Sequence, residues 1–215
     1  MPISTKSDLR SAFGPVRDQD PRPTCMAFAA SDGHAAARRY WAPLSVEWAY
    51  YHALQRDGRG LSHRGVDLDT MLVTIREDGQ PPEEEWPYDA SLFTDMTKYK
   101  PPAASPIFKR DSVKIPATVE TFMLEIDAGR PVLFVTGLSN SFFTPDGEGI
   151  VSTNEPTEKH VHALIAVGSG ERGADKFILV RNSWGTAWGL GGYAWIDTEY
   201  LRPRLIAAAR ITMEL

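Results

Sequence analysis

A second cysteine is missing from this chain of 215 residues. With Cys25 alone, no internal disulfide can form, and a reducing, cytoplasmic setting is the expectation. Export by a non-classical route is the alternative. No signal peptide is expected from Met1-Pro2-Ile3-Ser4-Thr5-Lys6-Ser7-Asp8, which has no apolar stretch. No run approaches the roughly 18 apolar residues of a membrane span, so no membrane partner is expected. Positive charge is not in excess: the net charge is −5 and no basic cluster stands out, which argues against nucleic acid as a partner. Internal repeats are absent. What remains is 42% hydrophobic and 24% charged residues, the composition of an ordinary globular chain with a sizeable core.

The chemistry gathers around Gln19-Asp20-Pro21-Arg22-Pro23-Thr24-Cys25-Met26-Ala27-Phe28-Ala29-Ala30. Pro21 and Pro23 forbid helix before Thr24, a good N-cap type, so a helix is expected from about Thr24 to Tyr40. Cys25 would lie in its first turn, where unpaired backbone N–H groups and the helix dipole favour an anion. A thiol there loses its proton more readily, and the thiolate is the nucleophile. A small buried residue fits the same stretch equally well. The alanines of this helix suit close packing on several sides. His34, more than two turns past Cys25, reads as structural.

A second helix opens at Pro43-Leu44-Ser45-Val46-Glu47-Trp48, with Ser45 as N-cap and Trp48, Tyr51 and Leu54 as a core stripe. A Gly/Arg-rich loop from Arg56 to Gly65 follows, with His52 and His63 expected at a solvated surface. Asp67 to Ile75 is a third helix, with Leu68, Met71, Leu72 and Ile75 inward. Glu83-Glu84-Glu85 reads as a solvated face. The Pro- and Lys-rich stretch from Lys98 to Pro116 reads as a crossing between two halves. Beyond a short helix from Val119 to Ala128, apolar strand signals crowd together at Pro131–Val135, Val161–Val167, Phe177–Val180, Gly192–Ile196 and Leu205–Thr212. Between the first two lies a polar loop from Gly137 to Glu158, long enough to suggest function. The fold class is therefore α+β, helical first and mainly antiparallel β second.

A cysteine nucleophile needs a base and a third group to orient that base. His160 and His162 differ by two, so periodicity places both on one face of a strand and does not choose between them. His162 lies deeper in the apolar run, where its ring needs a partner. In Arg181-Asn182-Ser183-Trp184-Gly185-Thr186-Ala187-Trp188-Gly189, Asn182 could accept from an imidazole N–H, and Trp184 could shield that bond.

These blocks together strongly resemble the papain-like (C1) cysteine peptidases. The matching residues are Gln19 with Cys25-Met26-Ala27-Phe28-Ala29, then His162-Ala163-Leu164-Ile165-Ala166-Val167-Gly168, then Arg181 to Gly189 with Gly192-Tyr193. His162 and Asn182 follow Cys25 by 137 and 157 residues. Leu44-Ser45, Gly65 and Trp86-Pro87-Tyr88 also fall where the family has corresponding elements. The lack of disulfides and the long loop with Ser141-Phe142-Phe143 look most like compact bacterial members.

The resemblance implies a single domain over residues 1–215 with two lobes, a helical one at about 12–108 and an antiparallel, β-barrel-like one at about 109–215. The site would lie in the cleft between them. By position, Cys25 is the nucleophile, His162 the base and then acid, and Asn182 the group orienting His162. The Gln19 amide and the Cys25 backbone N–H form the oxyanion hole. The implied reaction is peptide hydrolysis through an acyl-enzyme, with no cofactor and no metal. Arg64-Gly65-Val66 stands loosely where the family's cleft glycine binds substrate backbone. Val135, Val161 and Ala163 would line an apolar specificity pocket, with Trp184 beside them.

Departures concentrate before the nucleophile, where Arg22 and Pro23 replace a cysteine and a glycine and Met26 replaces a tryptophan. Gln19 comes too early to leave room for an inhibitory propeptide, so control would fall to a protein inhibitor or regulatory partner unless the chain is a mature form. Two alternatives stand beside a peptidase: a catalytically silent peptide-binding module, and a Cys-dependent amidase or acyltransferase.

Overall fold

The computed structural model describes residues 1–38, 40–61, 63–91, 96–152, 155–157 and 160–214. Arg39 of the expected first helix, Ser62 of the Gly/Arg-rich loop, and Thr153, Asn154 and Glu158 of the long loop lie outside the described residues. In chain order the elements are β1 (Ser4–Asp8), α1 (Cys25–Ala36), α2 (Val46–Arg56), α3 (Leu68–Glu77), β2 (Arg110–Ile115), α4 (Val119–Asp127), β3 (Val132–Gly137), α5 (Asn140–Phe143), β4 (Ile150–Val151), β5 (Val161–Arg172), β6 (Asp175–Arg181), β7 (Tyr193–Asp197), α6 (Thr198–Leu201) and β8 (Leu205–Glu214). They belong to two compact units, a helical one comprising Gln19–Val113 and Ile211–Leu215, and a sheet unit comprising Met1–Asp18 and Lys114–Arg210.

In the helical unit, α1 is the buried element. Met26 to Ser31 are all buried, as is Ala35. Small side chains let neighbours approach this helix on several sides. It ends sooner than its alanines suggest, because the last turn tightens and Arg38 N–H bonds to Ala35 O at 3.2 Å. Ser45 caps α2 as expected, its hydroxyl accepting from Trp48 N–H at 3.1 Å. The buried face of α2 is different from the expected stripe. Val46, Ala49, Tyr50, Ala53 and Leu54 face inward together with Glu47. Trp48 and Tyr51 are only half-buried, and they pack with Trp86 and Tyr99 in an aromatic layer, Trp86 lying 5.2 Å from Tyr99. A period of 3.6 permits either face, and the larger rings went to the rim. His52 is drawn into that layer, half-buried 4.9 Å from Trp48, so it is not a solvated surface residue. Asp67 caps α3, accepting from Thr70 N–H at 2.8 Å, and Leu68, Met71, Leu72 and Ile75 are buried as read.

The acidic triplet is also not a plain solvated face. It forms a 3₁₀ turn in which Glu83 accepts from the Val46 N–H at the start of α2 and from Tyr88 N–H. A carboxylate at a helix N-terminus answers both the orphan donors and the dipole.

In the sheet unit the strands run β8-β3-β5-β6-β7-β4, with β1 along the second half of β5. Pairing is antiparallel except for β4, which runs parallel to β7. Among the described residues β4 pairs only with β7, so the sheet stays open there and the expected barrel-like closure is not made. The five expected strands all form. β1, β2 and β4 went unread because they are short or polar and lack an apolar run. The long loop between β3 and β5 carries structure of its own, α5 and β4. α4 lays Phe122 against Phe134 of β3, ring centroids 5.1 Å apart, over a core that includes Ile126, Leu164, Ile178, Val180 and Ile196. No helix among the described residues is long and apolar enough to cross a membrane.

Candidate active site

The sheet unit carries the imidazole. β5 is the central strand, paired with β3 and β6, and its register sets His162 opposite Thr136. β6 ends at Arg181, which leaves Asn182 just past its end. His162 is 5% exposed and Asn182 2%, and Nε2 of the ring lies 2.7 Å from Oδ1 of the amide. A carboxamide oxygen only accepts, so the ring proton sits on Nε2 and donates to Asn182. Nδ1 is left as the basic nitrogen.

Asn182 is itself held on two sides. Its backbone N–H donates to Gly192 O at 3.0 Å, and its Oδ1 also accepts from Ser183 N–H at 2.8 Å. The Trp184 ring covers the pair from 4.6 Å, with Phe142 and Trp188 packed behind it and Trp188 Nε1–H donating to Phe142 O. Excluding water around a hydrogen bond strengthens it.

The glycines of this block have a steric reason. Gly185 has φ +67, and a Cβ there would lie 2.5 Å from Asp18 Oδ2; Asp18 forms a bridge with Trp184. Gly189 has φ +56, and a Cβ there would run into the Tyr193 carbonyl. Arg181 adds a further tie, donating to Gly14 O, Pro15 O and Tyr193 Oη at 2.9, 2.6 and 2.6 Å.

His160 takes no part in this arrangement. It lies outside β5, exposed, beside Phe143, and its backbone carbonyl accepts from Leu138 N–H at 2.9 Å. The expected shared strand face does not extend to it, since β5 starts at Val161.

The helical unit carries the thiol. Cys25 is the first residue of α1 and is half-buried. Thr24 is the N-cap residue, yet its side chain makes no capping bond. Its hydroxyl is spent instead on Tyr88 Oη, 3.0 Å away. Gln19 is 7% exposed, and its Nε2–H donates to Arg22 O at 2.9 Å. Tyr88 O–H donates to Gln19 O at 2.6 Å. Burial pushes the Tyr88 phenol up to about 12, so it remains a donor at neutral pH. The loop from Gln19 to Thr24 is thus clamped along its length, and Asp20 takes a left-handed φ of +49 to make its turn.

Of the expected substrate-contacting residues, Gly65 is exposed in the loop before α3, with nothing within 4 Å of a Cβ placed on it, and Val66 is buried behind it. Val135 and Ala163 are cross-strand partners on β3 and β5, half-buried and buried. Val161, two residues before Ala163, is 62% exposed. Reading by residue type passed over Arg22, Glu47 and Tyr88. The available signal was an arginine one residue from a proline in the nucleophile loop, a position that demands a counter-charge if it is buried.

These features define a cysteine-protease fold, and the comparisons agree. The family model for papain family cysteine proteases matches residues 3–208, and the chain belongs to that family. The senescence-specific cysteine protease SAG12 of Arabidopsis thaliana is 27% identical over 203 residues, 93% of this chain and 57% of that protein. Xylellain, a cysteine protease from Xylella fastidiosa, superposes with a TM-score of 0.81 at 21% identity, covering 98% of this chain and 87% of that one. The cysteine protease CMS1MS2 of Carica candamarcensis, solved in complex with E-64, gives 0.72 at 23% identity, covering 97% and 98%. The chain spans about half the length of the curated relatives it matches.

Proposed function

We propose that this chain is a cysteine-type peptidase that cleaves peptide bonds through an acyl-enzyme. The observation that carries the reading is the His162–Asn182 bond, which puts the ring proton on Nε2 and reserves Nδ1 for proton transfer. The N1 position of Cys25 supports it, because backbone N–H groups there favour the thiolate.

In the proposed reaction the Cys25 thiol proton goes to His162 Nδ1, and Sγ attacks the carbonyl carbon of the scissile peptide. The carbonyl electron pair moves onto oxygen, where the Gln19 carboxamide and the Cys25 backbone N–H donate to it. As the oxyanion collapses, the C–N bond breaks and the leaving amine takes the proton from Nδ1, which leaves a thioester. Water then gives a proton to Nδ1 and adds to the thioester. Collapse breaks the C–Sγ bond and frees the acid, and Sγ takes the proton back from Nδ1. Asn182 holds the ring in one plane throughout. Peptides and proteins are the substrate class. The E-64 bound to the Carica candamarcensis relative supports testing the same reagent here.

The test is alkylation of Cys25 by iodoacetamide across pH, followed by turnover of a peptide library. Fast alkylation at pH 5–6 that disappears in His162→Ala but survives in His160→Ala supports the reading. Alkylation that rises only near the ordinary thiol value of about 8.5 overturns it and leaves a silent binding module. Product analysis separates hydrolysis from acyl transfer.

A further inference from the structure

The carboxamide of Gln19 is held by the carbonyl of Arg22, and Arg22 is held by Glu47. Both charges are out of water: Arg22 is 2% exposed and Glu47 0%. The guanidinium meets the carboxylate through both of its terminal nitrogens, Nη1 to Oε1 and Nη2 to Oε2, the second at 3.0 Å. Glu47 also accepts from Tyr99 O–H at 2.5 Å and from Asp89 N–H at 3.0 Å. Arg22 Nη1 gives a further bond to Asp89 O at 2.6 Å, and the guanidinium lies 4.8 Å from the Tyr88 ring. Burial alone would lower the Arg22 pKa, but the bond and charge of Glu47 outweigh it, so the group stays charged.

A buried ion pair is a poor device for stability, since a well-packed apolar pair of similar volume often does as well or better. What a bidentate pair supplies is direction. Here the direction is passed to the backbone. Arg22 O accepts from Gln19 Nε2–H at 2.9 Å and from Thr24 N–H at 2.8 Å, so one fixed residue sets both the carboxamide and the N-cap that precedes Cys25.

We propose that the buried Arg22–Glu47 pair is a positioning element for the oxyanion donor. By locking Arg22 it holds the Gln19 carboxamide in the plane from which it donates to the developing oxyanion. The proposal rests on the role given to Gln19 above.

The test uses the full chain, a chromogenic peptide amide and the double variant Arg22→Met/Glu47→Leu. The expected double variant melts within a few degrees of the parent and alkylates at Cys25 at the parental rate. Its kcat falls about tenfold while KM changes less than about twofold, the mark of a transition-state contact. In a Gln19→Ala background the same double substitution leaves kcat unchanged, because the donor it positions is gone.

A double variant with parental kcat overturns the proposal. So does a further tenfold loss in the Gln19→Ala background, which marks a packing role unrelated to the donor. If the double variant does not fold, Tyr99→Phe removes the hydroxyl that bonds both the carboxylate and the backbone carbonyl of Glu47 and keeps the ring. It should lower kcat about twofold to threefold, again only when Gln19 is present, and parental kcat in this variant overturns the proposal. Failure of the underlying role looks different: Gln19→Ala itself would then turn over at the parental rate instead of losing roughly 100-fold or more.

Discussion

Nε2 of His162 donates to Oδ1 of Asn182 across 2.7 Å, in a pocket closed by Trp184. Asn182→Ala removes the acceptor and leaves a buried ring N–H and the Ser183 N–H without it. The expected result is a kcat/KM lower by about 10- to 100-fold with a stability loss of about 1–3 kcal/mol. Steady-state kinetics beside urea titration read both. A variant that loses stability but keeps kcat/KM would reduce Asn182 to a core residue.

His34 makes stability depend on pH. It is fully buried in α1, bonded through Nδ1 to Gln80 Oε1 at 3.0 Å, and no bond reaches its Nε2 among the described residues. Burial, with Arg110 and Arg38 adding to it, lowers its pKa from 6.5 to about 4. The unfolded chain therefore binds a proton in a window where the folded chain refuses it. Stability should be intact above 6.5 and fall by about 3 kcal/mol as pH drops to 4, with no further loss from this group below that. Urea midpoints from pH 4 to 7.5 for the parent and for His34→Gln isolate the effect. Parallel pH profiles in the two proteins would count against it.

Gly189 and Gly173 both have positive φ, +56 and +65, but only Gly189 is crowded, by the Tyr193 backbone. Gly173 has nothing within 4 Å. Gly173→Ala should cost about 1–2 kcal/mol, the left-handed penalty alone, whereas Gly189→Ala should cost about 3 kcal/mol or more because backbone must also move. Chemical denaturation of the two variants makes the comparison, and equal losses would mean that the block yields at no cost.

Local chemistry was legible wherever it is written in adjacent residues. The cap at Ser45, the inward face of α3 and the five apolar strands follow from propensity and period. The roles open to Cys25, His162, Asn182 and Gln19 follow from residue type and from the resemblance. The pairings were not legible, because each joins residues far apart in the chain. Thr24 makes no capping bond because Tyr88, 64 residues on, takes its hydroxyl. Trp48 and Tyr51 look like core by period, yet α2 turned Val46 and Tyr50 inward and Glu47 with them. His160 and His162 are equivalent by periodicity, and only the start of β5 at Val161 and the reach of Asn182 separate them.

The chain's own order of residues settles which groups can act as acid, base, donor or nucleophile, because those are properties of side chains. Whether a buried charge meets a partner, and which of two histidines finds an acceptor, depends on strand register and helix rotation. Those are decided by the packing of the whole fold, as Arg22 and Glu47, 25 residues apart, show.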